Sequence, residues 1–514
     1  MARCSPLQLP SLPLLSKTAP RHLPHARAAS SSVSSLPRFD EVTDILIVGS
    51  GAGGLTASLR GAKLGLRTTV VEKEATLGGA SVISGGGLWI PCNTVATTHG
   101  INDSEQGALK YFEAAVGDVG PASSLEKRRA YLTNGQRMIS WLQGEGFRFH
   151  FSKGYPDYYP SLEGAFGKGG GHTIKSKVFN TKRLGPWQTK LPPSHLPLAI
   201  YTNDAPLFTR LTSSSPAGEV AGEVVGAELR TAQGLRTIRA TRGVILAAGG
   251  FARNQAMREL HMPRPATTKW MSSPKGDTGD AIREGMRLGA ATALLDDAWW
   301  GPTIMDPVTG VVSFALMERA RPHSFIVDST GSRFMNEAQS YTDAGHDQYE
   351  RNHRVGAIPA WMITDRSHRD KYMLGGLFAR QKPSKKMLDA KRIYTAPSLE
   401  ALETQIGVDP KGLRATADRF NAMCAEGVDR DYARGISEYD QFFGDPEYRL
   451  NPNLGVVSRA PFYAVPIYPG DLGTKGGLLT DQFRRVVREG GKPIPGLYAI
   501  GNLLCLVVLR ITYV

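Results

Sequence analysis

The stretch DILIVGSGAGGLTASLRGAKLGLRTTVVE, residues 44–72, decides the fold. Asp44-Ile45-Leu46-Ile47-Val48 is a short apolar run of the kind that forms a buried parallel strand. It runs straight into Gly49-Ser50-Gly51-Ala52-Gly53-Gly54, which fits G-x-G-x-x-G. The spacing predicts a helix from Leu55 to about Leu64, ended by Gly65. A second strand, Thr68-Thr69-Val70-Val71, follows and stops at Glu72, eighteen residues past Gly54. Each part has a physical duty. Gly49 permits the tight turn, Gly51 lets a pyrophosphate approach the backbone, and Gly54 lets helix and strand pack closely. The exposed N–H groups and the helix dipole stabilise phosphate charge. Glu72 stands where an acid accepts from ribose hydroxyls. Strand, glycines, helix, strand and acid in this order outweigh an accidental glycine-rich turn.

The sequence beyond Glu72 favours a large cofactor. Lys73 leads into Gly78 and the group Gly79, Ala80 and Ser81; Ser84, Gly85 and Gly86 open a third glycine cluster. Such loops let backbone approach a broad planar ring, which a nicotinamide does not need. Strand-then-glycine segments return late in the chain, at 243–250 with Ala248, Gly249 and Gly250, and at 496–502 with Gly501 and Asn502. An FAD fold whose late strands come back to the cofactor accounts for all of them.

Composition narrows the class. At 514 residues, 41% hydrophobic and 21% charged, the chain is neither wholly disordered nor a polytopic membrane protein. No apolar run reaches the ~18–20 residues of a membrane span. Five of the fourteen excess positive charges lie in residues 1–39, which contain no acid. The remainder form no basic stripe with interleaved aromatics, so nucleic acid is not an expected partner. Cys4, Cys92, Cys424 and Cys505 have no paired spacing, so neither a metal site nor a disulfide framework is expected. A reducing intracellular compartment follows. The leader, residues 1–40, reads either as a mitochondrial presequence or as a disordered extension of a cytoplasmic protein; its prolines interrupt an amphipathic helix.

With these motifs in place, the chain resembles the flavoprotein family that contains fumarate reductases and 3-ketosteroid Δ1-dehydrogenases. The segments FSKGYPDYYP (151–160), RGVILAAGGF (242–251), GDTGDAIREGMRLGAATALLDDAWW (276–300) and DLGTKGGLLTD (471–481) resemble the ketosteroid branch. The resemblance covers about residues 41–502. It implies an α/β fold, a Rossmann-like FAD-binding domain (41–302 and 461–514) interrupted by a smaller α+β substrate domain (303–460). It implies non-covalent FAD, because no histidine occurs between residues 26 and 98, where covalent members attach the flavin. The implied substrate is a 3-ketosteroid or a related 3-keto tetracyclic triterpenoid, with an electron acceptor that the residues do not name.

Removing hydrogen from C1 and C2 beside a C3 ketone needs a hydride acceptor, a base and a clamp on the ketone oxygen. Tyrosine suits the base, since its ring packs on an apolar substrate and its hydroxyl relays a proton. The resemblance assigns the base to Tyr341, after Arg333-Phe334-Met335-Asn336-Glu337, and an assisting hydroxyl to Tyr158, with Tyr159 adjacent as the alternative. His346 and His323 lie near enough in sequence to compete as bases. After Gly501-Asn502 the family continues with a Tyr-Pro-Gly-Pro-Gly clamp and a helix, whereas this chain reads LLCLVVLRITYV. Tyr513 is then the candidate clamp hydroxyl, the glycine partner is missing, and the expectation is weak activity. The competing readings are a fumarate-type or other steroid-directed flavin oxidoreductase, and an inactive truncated remnant.

Overall fold

The computed structural model describes residues 38–190, 207–213, 222–306 and 308–503. Of the leader expected at 1–40, residues 1–37 lie outside the described residues.

The expected nucleus is present. The strand Glu41–Val48 leads through the glycine turn into the helix Ala52–Lys63, and the strand Thr68–Val71 follows. The helix buries Gly54 and Gly61 against the strands. A Cβ at Gly54 would fall 2.2 Å from the Gly49 carbonyl oxygen, and one at Gly61 would fall 2.5 Å from Thr68 Cγ2. Small residues at these points therefore set the helix-to-sheet distance. Arg60 and Lys63 in the last turn suit its negative end.

Glu41–Val48 pairs in parallel with Thr68–Val71 on one side and with Gly234–Leu246 on the other; Gly234–Leu246 in turn pairs in parallel with Pro493–Ala499. Val48 stands opposite both Val71 and Leu246, and Leu246 opposite Ala499. This register brings four strand ends, more than four hundred residues apart in sequence at the extremes, to one edge. Antiparallel strands Val224–Thr231, Leu207–Ser213 and Arg485–Val487 complete the seven-stranded sheet. Leu46, Val48, Val71, Val244, Leu246, Leu497 and Ala499 share one core.

A second sheet of six strands is antiparallel throughout. Its order is Val312–Phe314, Ala298–Met305, Phe462–Thr474, Ala360–Thr364 and Ser324–Val327, with Tyr394–Ala396 also on Phe462–Thr474. The sequence positions 302/303 and 460/461, where the substrate segment is expected to begin and end, fall within Ala298–Met305 and just before Phe462–Thr474. These two strands pair directly, and the Phe251 N–H donates to Thr474 Oγ1 at 3.2 Å, tying the second sheet to the loop after Leu246. Among the described residues no helix is long and apolar enough to cross a membrane.

Candidate active site

A cleft of about 2010 Å³ begins at the four aligned strand ends and runs to a wall of aromatic and aliphatic side chains. At the first end, Glu72 ties the turn together. Its Oε2 accepts from Ser50 N at 2.9 Å and Ser50 Oγ at 2.7 Å, and its Oε1 accepts from Glu74 N at 3.0 Å. Ser50 Oγ accepts in turn from Gly78 N at 3.1 Å, and Ser81 Oγ from Ala52 N at 3.1 Å. Ser84 Oγ accepts from Gly86 N at 3.2 Å.

Of the candidate cofactor residues, Gly49, Ser50, Gly51, Ala52, Gly53, Gly54, Glu72, Lys73, Gly79, Ala80, Ser81, Ser84, Gly86, Ala248, Gly249, Gly501 and Asn502 line the cleft. Gly85 is exposed and lies off the wall, and Gly250 packs instead against Thr474, whose Oγ1 would be 2.1 Å from a Cβ there. Lys73 lines the cleft but is committed within the protein, pairing with Asp280 at 2.6 Å and with Thr278. That pairing gives the GDTGD segment a structural duty.

A flavin dinucleotide fits this end. Gly51 is the deciding position: the nearest protein atom to a Cβ there would be Ser81 Oγ at 3.9 Å. No packing in the protein itself forbids a side chain at 51. The open backbone faces the cleft, as close approach of a phosphate requires. Residues 44–511 match the family described as FAD binding domain.

The chain belongs to the FAD-binding domain family. This flavoprotein is 38% identical to a 3-oxosteroid 1-dehydrogenase of Mycobacterium tuberculosis, over 90% of this chain and 92% of that one. It is 32% identical to the 4-oxocyclohexanecarboxylate 2-dehydrogenase of Sinomonas cyclohexanicum, over 89% and 87%. Among solved structures it is similar to a 3-ketosteroid Δ1-dehydrogenase of Sterolibacterium denitrificans in complex with 1,4-androstadiene-3,17-dione. The TM-score is 0.84 at 30% identity, covering 91% of this chain and 95% of that one. A flavocytochrome c3 fumarate reductase, 20% identical with a TM-score of 0.61, shares the fold alone.

At its other end the flavoprotein brings together residues 183 positions apart. Tyr158 O–H donates to the Tyr341 hydroxyl at 3.3 Å, their rings 5.5 Å apart and nearly perpendicular. Tyr155, Leu316, Tyr439 and Phe443 belong to the same buried cluster. Tyr158 lines the cleft, and Tyr341, fully buried, stands next to it. Burial pushes the Tyr158 hydroxyl well above the ordinary tyrosine range, so it stays protonated and remains a donor. Tyr159 points elsewhere, donating to Asp343 Oδ1 at 3.1 Å and Ser340 Oγ at 3.4 Å. Both competing histidines are engaged away from the pair. His346 Nε2 meets Asp297 Oδ1 at 3.0 Å, and His323 bridges Val456 O and Tyr448 Oη at 2.7 and 2.5 Å. Tyr513 lies outside the described residues.

Two charge clusters support this end, and sequence reading missed both. Arg333 reaches Glu337 and Asp429, each at 2.7 Å, while Arg434 reaches Glu337 at 3.1 Å, all buried. The stretch 333–337 is therefore a clamp that fixes the approach to the helix Tyr341–Arg354. Breaking such a pair strands a buried charge, so the cluster rigidifies the approach. In the second cluster, His172 Nδ1 lies 2.7 Å from Asp157 Oδ2, and its Nε2 is 3.2 Å from Asp103 Oδ2. Asp157 also accepts from Trp89 Nε1 at 2.9 Å and from the Phe166 and His172 N–H groups. Burial alone would lower the His172 pKa, but Asp157 and Asp103 outweigh it and push it up to about 9. The imidazolium thus anchors the loop in which Tyr158 directly follows Asp157. Adjacency in sequence was the only available signal, since Asp103 and His172 are remote from it.

Proposed function

We propose that this flavoprotein dehydrogenates a 3-ketosteroid, or a related 3-keto tetracyclic triterpenoid, between C1 and C2. The observation that carries the reading is the Tyr158–Tyr341 hydroxyl contact at 3.3 Å in the apolar wall of the same cleft whose other end is the dinucleotide turn. FAD, when bound, supplies the hydride acceptor. The turn 49–54 would hold its pyrophosphate and Glu72 its ribose, without a covalent link, and residues 303–460 would add Leu316, Met317, Phe442 and Phe443 to the substrate-facing wall.

The proton at C2 is acidified by the neighbouring ketone and passes to the Tyr341 oxygen. Tyr158 makes that transfer feasible. It is held protonated by burial and donates to Tyr341, so it stabilises the Tyr341 phenolate, formed beforehand by loss of that hydroxyl's proton to solvent. The phenolate takes the C2 proton and becomes a neutral hydroxyl. The surrounding aromatic and aliphatic side chains exclude water and match a fused-ring substrate. Tyr513 is the candidate donor to the ketone oxygen. The mycobacterial relative at 38% identity and the Sterolibacterium structure with a steroid dienone support the substrate class. For compartment, the unpaired spacing of the cysteines supports a reducing, intracellular site.

The test is turnover of a 1,2-saturated 3-ketosteroid with a dye acceptor, with fumarate assayed in parallel under reducing conditions. Formation of the 1,2-unsaturated ketone supports the reading; fumarate reduction without it, or a purified chain lacking flavin, overturns it.

A further inference from the structure

Asp277 enters the dinucleotide end of the cleft from the GDTGD segment. It is 5% exposed and stands against Gly249, where a Cβ would fall 2.3 Å from its Oδ1. Gly249 has φ +71°, so both conformation and space require glycine there. Oδ2 of Asp277 has no hydrogen-bond partner among the described residues, although buried polar atoms are nearly always paired.

The charged groups that face it come from three directions: Glu72 and Lys73 after Thr68–Val71, Arg253 after Gly234–Leu246, and Asp471 in Phe462–Thr474. Each is committed elsewhere. Glu72 accepts from Ser50, Lys73 pairs with Asp280, Arg253 donates to the carbonyls of Met271 and Ser273, and Asp471 pairs with Arg258. Glu74 adds negative charge nearby, lying against Gly276. Burial, opposed by Lys73 and reinforced by Asp471, pushes the Asp277 carboxyl up to about 7. A bound diphosphate would add negative charge and displace water, both of which disfavour a carboxylate further.

We infer that Asp277 is a further dinucleotide-binding residue, a neutral acid that donates through Oδ2 to an acceptor atom on the adenosine diphosphate half of FAD and takes up one proton when FAD binds. The inference rests on the flavin reading of the cleft. It places the contact at the adenosine end because Glu72, Lys73 and Gly249 surround it, while the tyrosines occupy the opposite end. The one bond formed is the O–H bond, made as the carboxylate takes a proton from solvent, and that proton makes the hydrogen bond.

The experiment is FAD titration of the flavin-stripped full chain between pH 6 and 9, followed by quenching of tryptophan fluorescence, with Trp89 and Trp299 on the cleft wall. The Kd is expected to be flat below pH 7 and to rise about tenfold per pH unit above pH 8. Asp277→Asn, whose amide donates at every pH, should bind FAD without that rise. FMN, which lacks the adenosine half, should show no such slope with the parent chain. Calorimetry on the parent at pH 8, in two buffers of different ionisation heat, should show close to one proton taken up per FAD, and it decides the matter if the variant does not fold. A flat pH profile, an equal slope in Asp277→Asn, an equal slope with FMN, or no proton uptake overturns the inference and leaves the flavin reading standing. Failure of the parent to bind FAD at any pH overturns both.

Discussion

The two ends of the cleft are built in opposite ways. The dinucleotide end is made largely of backbone: a turn of four glycines, strand termini in register, and one acid, Glu72, that ties the turn through Ser50. The tyrosine end is made of side chains carried by distant segments, with Tyr158 and Tyr341 held by charge clusters that include Asp103, His172, Arg333 and Asp429. A backbone site depends on steric room, whereas a side-chain site depends on buried charges being satisfied. The two ends should therefore fail differently when altered.

The largest effect is expected at the backbone end. Gly51→Val should weaken FAD binding by about 10³-fold or more, equivalent to ~4 kcal/mol, with little loss of folding, because the nearest protein atom leaves room for a Cβ. Gly54→Val should instead unfold the chain, since its Cβ would meet the Gly49 carbonyl at 2.2 Å. Flavin absorbance per chain, measured beside the melting temperature, separates the two outcomes. Equal behaviour of the variants would erase the distinction between ligand room and packing room.

At the side-chain end, Tyr341→Phe should retain flavin and cut turnover by about 10²-fold or more, the scale of a positioned acid–base group. A solvent-exchange assay of the C2 proton should lose rate in parallel. If Tyr158→Phe has the larger effect, the proton goes first to the hydroxyl that lines the cleft.

A smaller effect, on stability, should appear at His172. Its folded pKa of about 9 lies above the unfolded value, so its stabilisation is complete below about pH 6.5 and disappears as pH rises through 9. That contribution is on the order of 3 kcal/mol at pH 6. His172→Gln should remove this part of the pH dependence of the melting temperature, and an unchanged slope would place the titration elsewhere. The smallest effect belongs to His346→Ala, which loses a half-exposed pair with Asp297 and should keep activity within about threefold, as exposed ion pairs contribute little. A large loss of turnover would return His346 to the list of bases.

How much was legible follows from the same contrast. The strand ending at Val48, the turn, the helix ending at Lys63 and the second strand, Thr68–Val71, could be read because the contacts that define them are local or made by backbone. Gly250 was singled out because glycine after a strand signals close approach without saying to what; in the fold Thr474 lies against it. Arg333 and Glu337 marked the approach to Tyr341, but their duty as a clamp needed Asp429 and Arg434, nearly a hundred residues away. Asp277 sat in a quoted motif and carried no visible role, because a buried oxygen without a partner among the described residues, its Oδ2, is defined by what surrounds it.

By itself, then, the sequence determined that this protein has a dinucleotide-binding nucleus, since glycine spacing, apolar runs and a terminal acid encode backbone geometry within about thirty residues. Only the tertiary structure decided which hydroxyl meets which. Tyr158 rather than Tyr159 reaches Tyr341, because Asp157 is held by His172 and Trp89 while Tyr159 is drawn to Asp343. Such choices depend on buried electrostatics between remote segments, whose strength is set by distance and desolvation and is not written in local order.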